Sequence, residues 1–117
     1  MHKYEELKVY QKGLTYSKNV RTGTKQFPKE ELYALTSQFR RAADSIVLNI
    51  AEGAGNYSDK EFARFLTYSI RSGFECKGCI DVALINEYLN EEQGRLLKND
   101  VNEIIAMLDG LYKKVNK

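Results

Sequence analysis

Cys76-Lys77-Gly78-Cys79 is the first group in this chain whose spacing could do chemistry. A C-x-x-C pair can act as a redox dithiol or supply half of a zinc site. Reactive thiolates are stabilised at a helix start, and this pair falls inside a helical pattern. No second pair completes a four-ligand site, and the only histidine, His2, sits at an N-terminus expected to be mobile. Buried structural thiols, one of them on the inner face of a helix, are the plainer reading. Gly53-Ala54-Gly55 before a helix could suggest a phosphate cradle, but the dinucleotide and P-loop fingerprints need a preceding strand and their own spacing. A helix terminator fits better. Serines are plentiful, yet no histidine is placed as a base, and no Ser/Cys–His–acid set can be assembled. Glu52 lacks a second carboxylate that would define a reaction. The chain therefore reads as a non-enzyme with no cofactor and no metal.

Charge offers a different chemistry. At about 100° per residue, Lys60, Arg64 and Arg71 fall within about 40° of one another on one helix face. Tyr57 and Tyr68 flank them, and Arg40 and Arg41 lie on the preceding helix. One reading is a solvated polar face with ion pairs, such as Asp44 with Arg40 four residues away. The other is a basic patch for the phosphate backbone of RNA or DNA. A net charge of +2 decides neither.

These side chains need helices to position them, and the pattern supplies four. Residues 4 to 21 make the first, with Tyr4, Leu7, Tyr10, Leu14 and Val20 inward; Gly13 makes it the weakest, at about 1 kcal/mol against Ala. Thr22 to Gln26 connect. The second opens on Pro28 with Glu30 and Glu31 in its first turn, and Leu32, Leu35, Phe39, Ala42, Ile46 and Ile50 form its apolar stripe. Gly53 to Asn56 should close it through left-handed backbone. Ser58-Asp59-Lys60-Glu61 matches a capping box, with Tyr57 and Phe62 at staple spacing. The third helix spans 58 to 87, with Phe62, Phe65, Leu66, Ser69, Gly73, Cys76, Ile80 and Ala83 inward. Small Ser69, Ser72 and Gly73 would let a neighbour approach closely. Asn90 with Gln93 caps the fourth, which carries Leu97, Val101, Ile104, Leu108, Leu111 and Val115 at heptad spacing, with Lys113, Lys114 and Lys117 at its C-terminal end. Short connections make this an all-α, antiparallel up-and-down four-helix bundle, a single domain over 1–117.

Composition agrees. With 43% hydrophobic and 29% charged residues the chain is globular. No run of about 18 apolar residues would span a membrane, and MHKYEELKVYQKG lacks the apolar core of a secretion signal, so a cytoplasmic protein is expected.

Some apolar residues fall off the core stripes. Arg41, Leu48 and Glu52 share the outer side of the second helix; Val82 and Ile85 lie off the inner face of the third. They could be isolated exposed residues, or a subunit interface of mixed apolar and charged contacts.

FPKEELYALTSQFRRAADSIVLNIAEGAG, followed by Ser58-x-Lys60-Glu61-Phe62-x-Arg64-Phe65-Leu66, resembles the four-helix-bundle family encoded in intervening sequences of bacterial 23S rRNA genes. Tyr4-x-x-Leu7-x-Val9-Tyr10 resembles the family's first helix and Ser72-x-x-Glu75 its third, so the likeness runs over nearly the whole chain. The family extends, more distantly, to accessory proteins of diversity-generating retroelements. The resemblance implies the bundle and a homo-oligomer, a closed ring that is typically a pentamer. Its retroelement relatives act with a reverse transcriptase and RNA. The functional expectation is an oligomer that binds RNA or DNA non-specifically; the alternative is a protein-interaction scaffold that touches no nucleic acid.

Overall fold

The amphipathic stretches become α1 (Lys8–Thr24), α2 (Ser37–Ala54), α3 (Asp59–Ile85) and α4 (Glu91–Val115) in the computed structural model, which describes residues 1–117. Each helix packs on its sequence neighbours and α1 closes on α4, so the chain is an all-α antiparallel four-helix bundle with no strand. The α2–α3 pairing is the most extensive. The bundle measures 43 × 23 × 19 Å. At about 1.5 Å rise per residue, α3 alone spans nearly the long dimension.

The apolar stripes meet in one core. Phe39, Ala42, Ile46 and Ile50 of α2 face Phe62, Leu66, Cys76 and Ile80 of α3, and Val101, Ile104 and Leu108 of α4 complete it. Close approach depends on small residues, as expected. Ser69 donates to the Ile46 carbonyl at 2.7 Å and Ser72 to the Ser45 hydroxyl at 2.9 Å, and a Cβ at Gly73 would stand 2.7 Å from Ile105. The buried Tyr16 hydroxyl donates to the Leu97 carbonyl at 3.0 Å and ties α1 to α4.

Several expectations change. The first helix is interrupted: Tyr4–Glu6 forms a 3₁₀ turn, Leu7 is extended, and α1 runs on to Thr24 through most of the anticipated connection. Leu14 points to solvent; Tyr4, Leu7 and Tyr10 pack half-buried against the core as expected, and Val9, Gly13, Tyr16, Val20 and Thr24 are the fully buried positions. Gly13 is no mere weakness, because its missing side chain admits Val47: a Cβ there would lie 2.5 Å from Val47 Cγ1. The second helix does not run straight from Pro28. Lys29–Glu31 is a 3₁₀ turn, Leu32–Thr36 is a π turn with Ala34 off helical geometry, and Leu32 is exposed. The kink at Ala34 breaks the helical period and leaves Leu32 off the stripe that Leu35 and Phe39 join.

The α2–α3 turn needs no left-handed glycine. Gly55 has φ −75°, and Glu87, after α3, is the one residue with positive φ. Gly53 matters instead for contact, since a Cβ there would stand 2.5 Å from Phe65 Cβ. Ser58 accepts from the Glu61 amide at 3.2 Å. The staple does not form: Tyr57 is exposed and His2 takes its place, its ring centroid 4.7 Å from that of Phe62. His2 is therefore fixed, with its amide donating to the Ala54 carbonyl at 2.8 Å and its Nε2 lying 2.9 Å from Asp59. At the opposite end Asn90 and Gln93 form a reciprocal capping box at 2.8 and 2.9 Å, and the Gln93 amide pairs with Gln26 across to α1's connection.

Candidate nucleic-acid interface

Lys60, Arg64 and Arg71 all reach solvent from the outer face of α3. The Ser58 cap starts this helix, and its 3.6-residue period turns these positions away from buried Phe62, Leu66 and Gly73. Tyr68 sits between the arginines. Arg64 Nε donates to the Tyr68 hydroxyl at 2.9 Å, and the Arg64 and Arg71 guanidiniums lie 6.0 and 5.6 Å from its ring centroid. The Tyr68 hydrogen bond, then Glu61, raises the Arg64 pKa above its usual value. Glu61 stands 3.6 Å from Arg64 in the one ion pair along this stripe.

Arg40 and Arg41 leave the stripe. Arg40 turns toward α1 and donates from Nε to the Thr24 hydroxyl at 2.8 Å. Arg41 lines an open groove of about 740 Å³ with Tyr33, Leu48 and Glu75 among its walls. The expected Arg40–Asp44 pair is absent, because Arg21 of α1 takes Asp44 at 2.7 Å. Helix projection alone could not see α1 arriving there.

The off-core residues are exposed as expected. Leu48 is 64% exposed, Val82 45% and Ile85 82%. Arg41 and Leu48 share the groove wall, and Glu52 lies one helical turn beyond Leu48, also exposed. The same projection missed Phe74, which falls about 20° from Ile85 and is 54% exposed, with Lys77 Nζ 5.0 Å from its ring centroid. Sequence reading also left Lys114 and Lys117 apart from Lys60. The fold brings them together in one cleft at the α3 start and α4 end.

The thiols lie elsewhere. Cys76 and Cys79 are both in the core, not one of them alone. Burial drives the Cys76 pKa strongly upward and pushes Cys79 up to about 11.

The family described as 23S rRNA-intervening sequence protein matches residues 5–110 of this chain. The chain belongs to that family. A structural comparison finds the same bundle in a protein of unknown function from the S23 ribosomal protein family of Bacteroides thetaiotaomicron. It covers 90% of this chain and 98% of that one with a TM-score of 0.83 at 24% identity. At that identity the likeness carries the fold alone. No curated protein matches. Membership in the 23S rRNA-intervening sequence family thus accounts for the helix order and the central α2–α3 motif. The match carries nothing about retroelement accessory proteins or about a bound nucleic acid.

Proposed function

We propose that this member of the 23S rRNA-intervening sequence family is a non-enzymatic, cytoplasmic homo-oligomer that binds RNA or DNA without sequence preference. The observation that carries this reading is the exposed Lys60–Arg64–Arg71 face, which holds a single ion pair, Arg64 with Glu61. Arg64 and Arg71 are steadied against Tyr68, so part of their ordering cost is already met before a phosphate arrives. One copy of such a face binds weakly. Several copies on a ring, a pentamer by family resemblance, would add through effective concentration. Exposed Leu48, Val82 and Ile85 supply apolar contacts for the assembly. The reading as a non-enzyme is supported by thiols that burial keeps protonated.

Fluorescence anisotropy with labelled RNA and DNA oligomers across a salt series tests the reading. Binding should fall steeply with salt. Reversal of Lys60, Arg64 and Arg71 to Glu, with the oligomer intact, should abolish it. No binding of any RNA or DNA at low salt removes the nucleic-acid reading and leaves the scaffold.

A further inference from the structure

Lys60 opens the α3 stripe, but it also belongs to a cleft at the end of the bundle. The cleft is about 570 Å³ and is lined by Asp59, Lys60, Lys114, Val115, Asn116 and Lys117. The short α3–α4 turn makes the two helices antiparallel, so the start of α3 meets the end of α4. Lysines distant in sequence come together there. Lys12, Lys98 and Lys113 each have a carboxylate partner elsewhere; Lys60, Lys114 and Lys117 have none. The only carboxylate side chain in the cleft, Asp59, is already held by His2 at 2.9 Å. The α3 N-terminus adds partial positive charge, while the partial negative end of α4 takes up part of its own lysines' charge. Lys60, Lys114 and Lys117 line this one cleft without a carboxylate partner, which makes it a positive edge that favours a multiply charged anion.

We infer that this cleft is a second phosphate seat, which extends the α3 stripe and takes the phosphodiesters of a nucleic-acid strand as it passes the bundle end. The inference rests on the nucleic-acid reading above and adds Lys114 and Lys117 to it. From Lys60 the helix rises about 6 Å to Arg64 and about 16 Å to Arg71. A strand seated in the cleft therefore has cationic partners along its onward path.

The test compares two double variants of equal net charge in the full chain, both with Lys60 of the α3 stripe in place. One is Lys114→Glu and Lys117→Glu; the other is Lys18→Glu and Lys25→Glu, two exposed lysines on α1 and at its end. Both carry surface changes only, and circular dichroism checks that each keeps its helices. The probe is a labelled single-stranded RNA read by anisotropy. The cleft variant should bind several-fold more weakly at low salt and lower the slope of log K against log salt by about 1.4, at about 0.7 per lost phosphate contact. The control variant should change both much less. Equal losses in the two variants mean bulk charge only and overturn the inference. If the cleft variant binds like wild type while Arg64→Glu with Arg71→Glu does not, the stripe stands and the cleft falls. If the wild type binds no RNA at low salt, the nucleic-acid reading itself fails, and the cleft with it.

Discussion

Arg21 holds Asp44 with both terminal nitrogens of its guanidinium, at 2.8 Å to Oδ1 and 2.7 Å to Oδ2. Ser17 donates to the same Oδ1 at 2.6 Å. This two-pronged contact joins the end of α1 to α2, and Lys12 with Glu103 joins α1 to α4 on its other side. Arg21 first, with Ser17 adding to it, lowers the Asp44 pKa below its ordinary 3.8. Asp44→Asn keeps the shape and removes the charge. The expected cost is about 1 kcal/mol at neutral pH, kept small because both side chains are partly in water. The sign follows from the lowered pKa: the contribution is complete above the unfolded value and is lost as pH falls through the folded one. Urea unfolding at fixed protein concentration should therefore show a deficit at neutral pH that shrinks below about pH 4. A deficit that stays constant through that range would falsify the assignment.

Two glycines should respond to alanine in opposite directions. A Cβ at Gly53 would stand 2.5 Å from Phe65 Cβ and 3.0 Å from Phe62 Cδ1. Phe65 Cβ is fixed to the α3 backbone and cannot swing aside, so the two helices must part. Gly53→Ala should destabilise by about 2 kcal/mol, overpacking outweighing the helix propensity it gains. Gly110 in α4 has nothing within 4 Å of its would-be Cβ. Gly110→Ala should stabilise by about 0.5–1 kcal/mol through propensity alone. Thermal melts of both variants decide, and equal shifts of the same sign would show that neither environment matters.

These two glycines show how far the pattern could be read. Apolar spacing of three and four gave the helices and most of the core, because each stripe is a property of one helix. Contacts between helices are a property of pairs; there the small residues Ser69, Ser72 and Gly73 marked a close approach, but the specific partners were not legible. Asp44 went to Arg21 of α1 and not to Arg40; Gly13 looked like a flaw until Val47 was seen against it. The π turn at Leu32–Thr36 left no mark in the period and moved Leu32 to solvent. The Lys60, Arg64 and Arg71 stripe was legible because it lies on one helix; Lys114 and Lys117 joined Lys60 only through the antiparallel α3–α4 pairing.

Cys76 and Cys79 should be unreactive in the folded protein. Burial raises both, Cys79 to about 11 and Cys76 further, so at about pH 8 neither carries appreciable thiolate. A chromogenic disulfide reagent should titrate almost nothing in native conditions and both thiols in denaturant. Rapid reaction of either thiol in the folded state, or zinc retained after dialysis, would restore the redox or metal reading of the C-x-x-C.

In a head-to-tail ring each subunit meets its neighbours through two different faces. The α2 groove wall with Leu48 and the end of α3 with Ile85 are candidates for those faces, since both residues are largely exposed. Leu48→Glu should spoil one face and Ile85→Glu the other, so each variant alone should be a monomer by size-exclusion chromatography with light scattering. Mixing the two variants discriminates further. The intact α3 end of the first can still meet the intact α2 wall of the second, which restores one contact and no more. The mixture should form a heterodimer that cannot close into a ring. A self-complementary dimer would instead bring both residues into one shared surface, and mixing would rescue nothing. Wild-type protein that stays monomeric at high concentration would remove the assembly altogether.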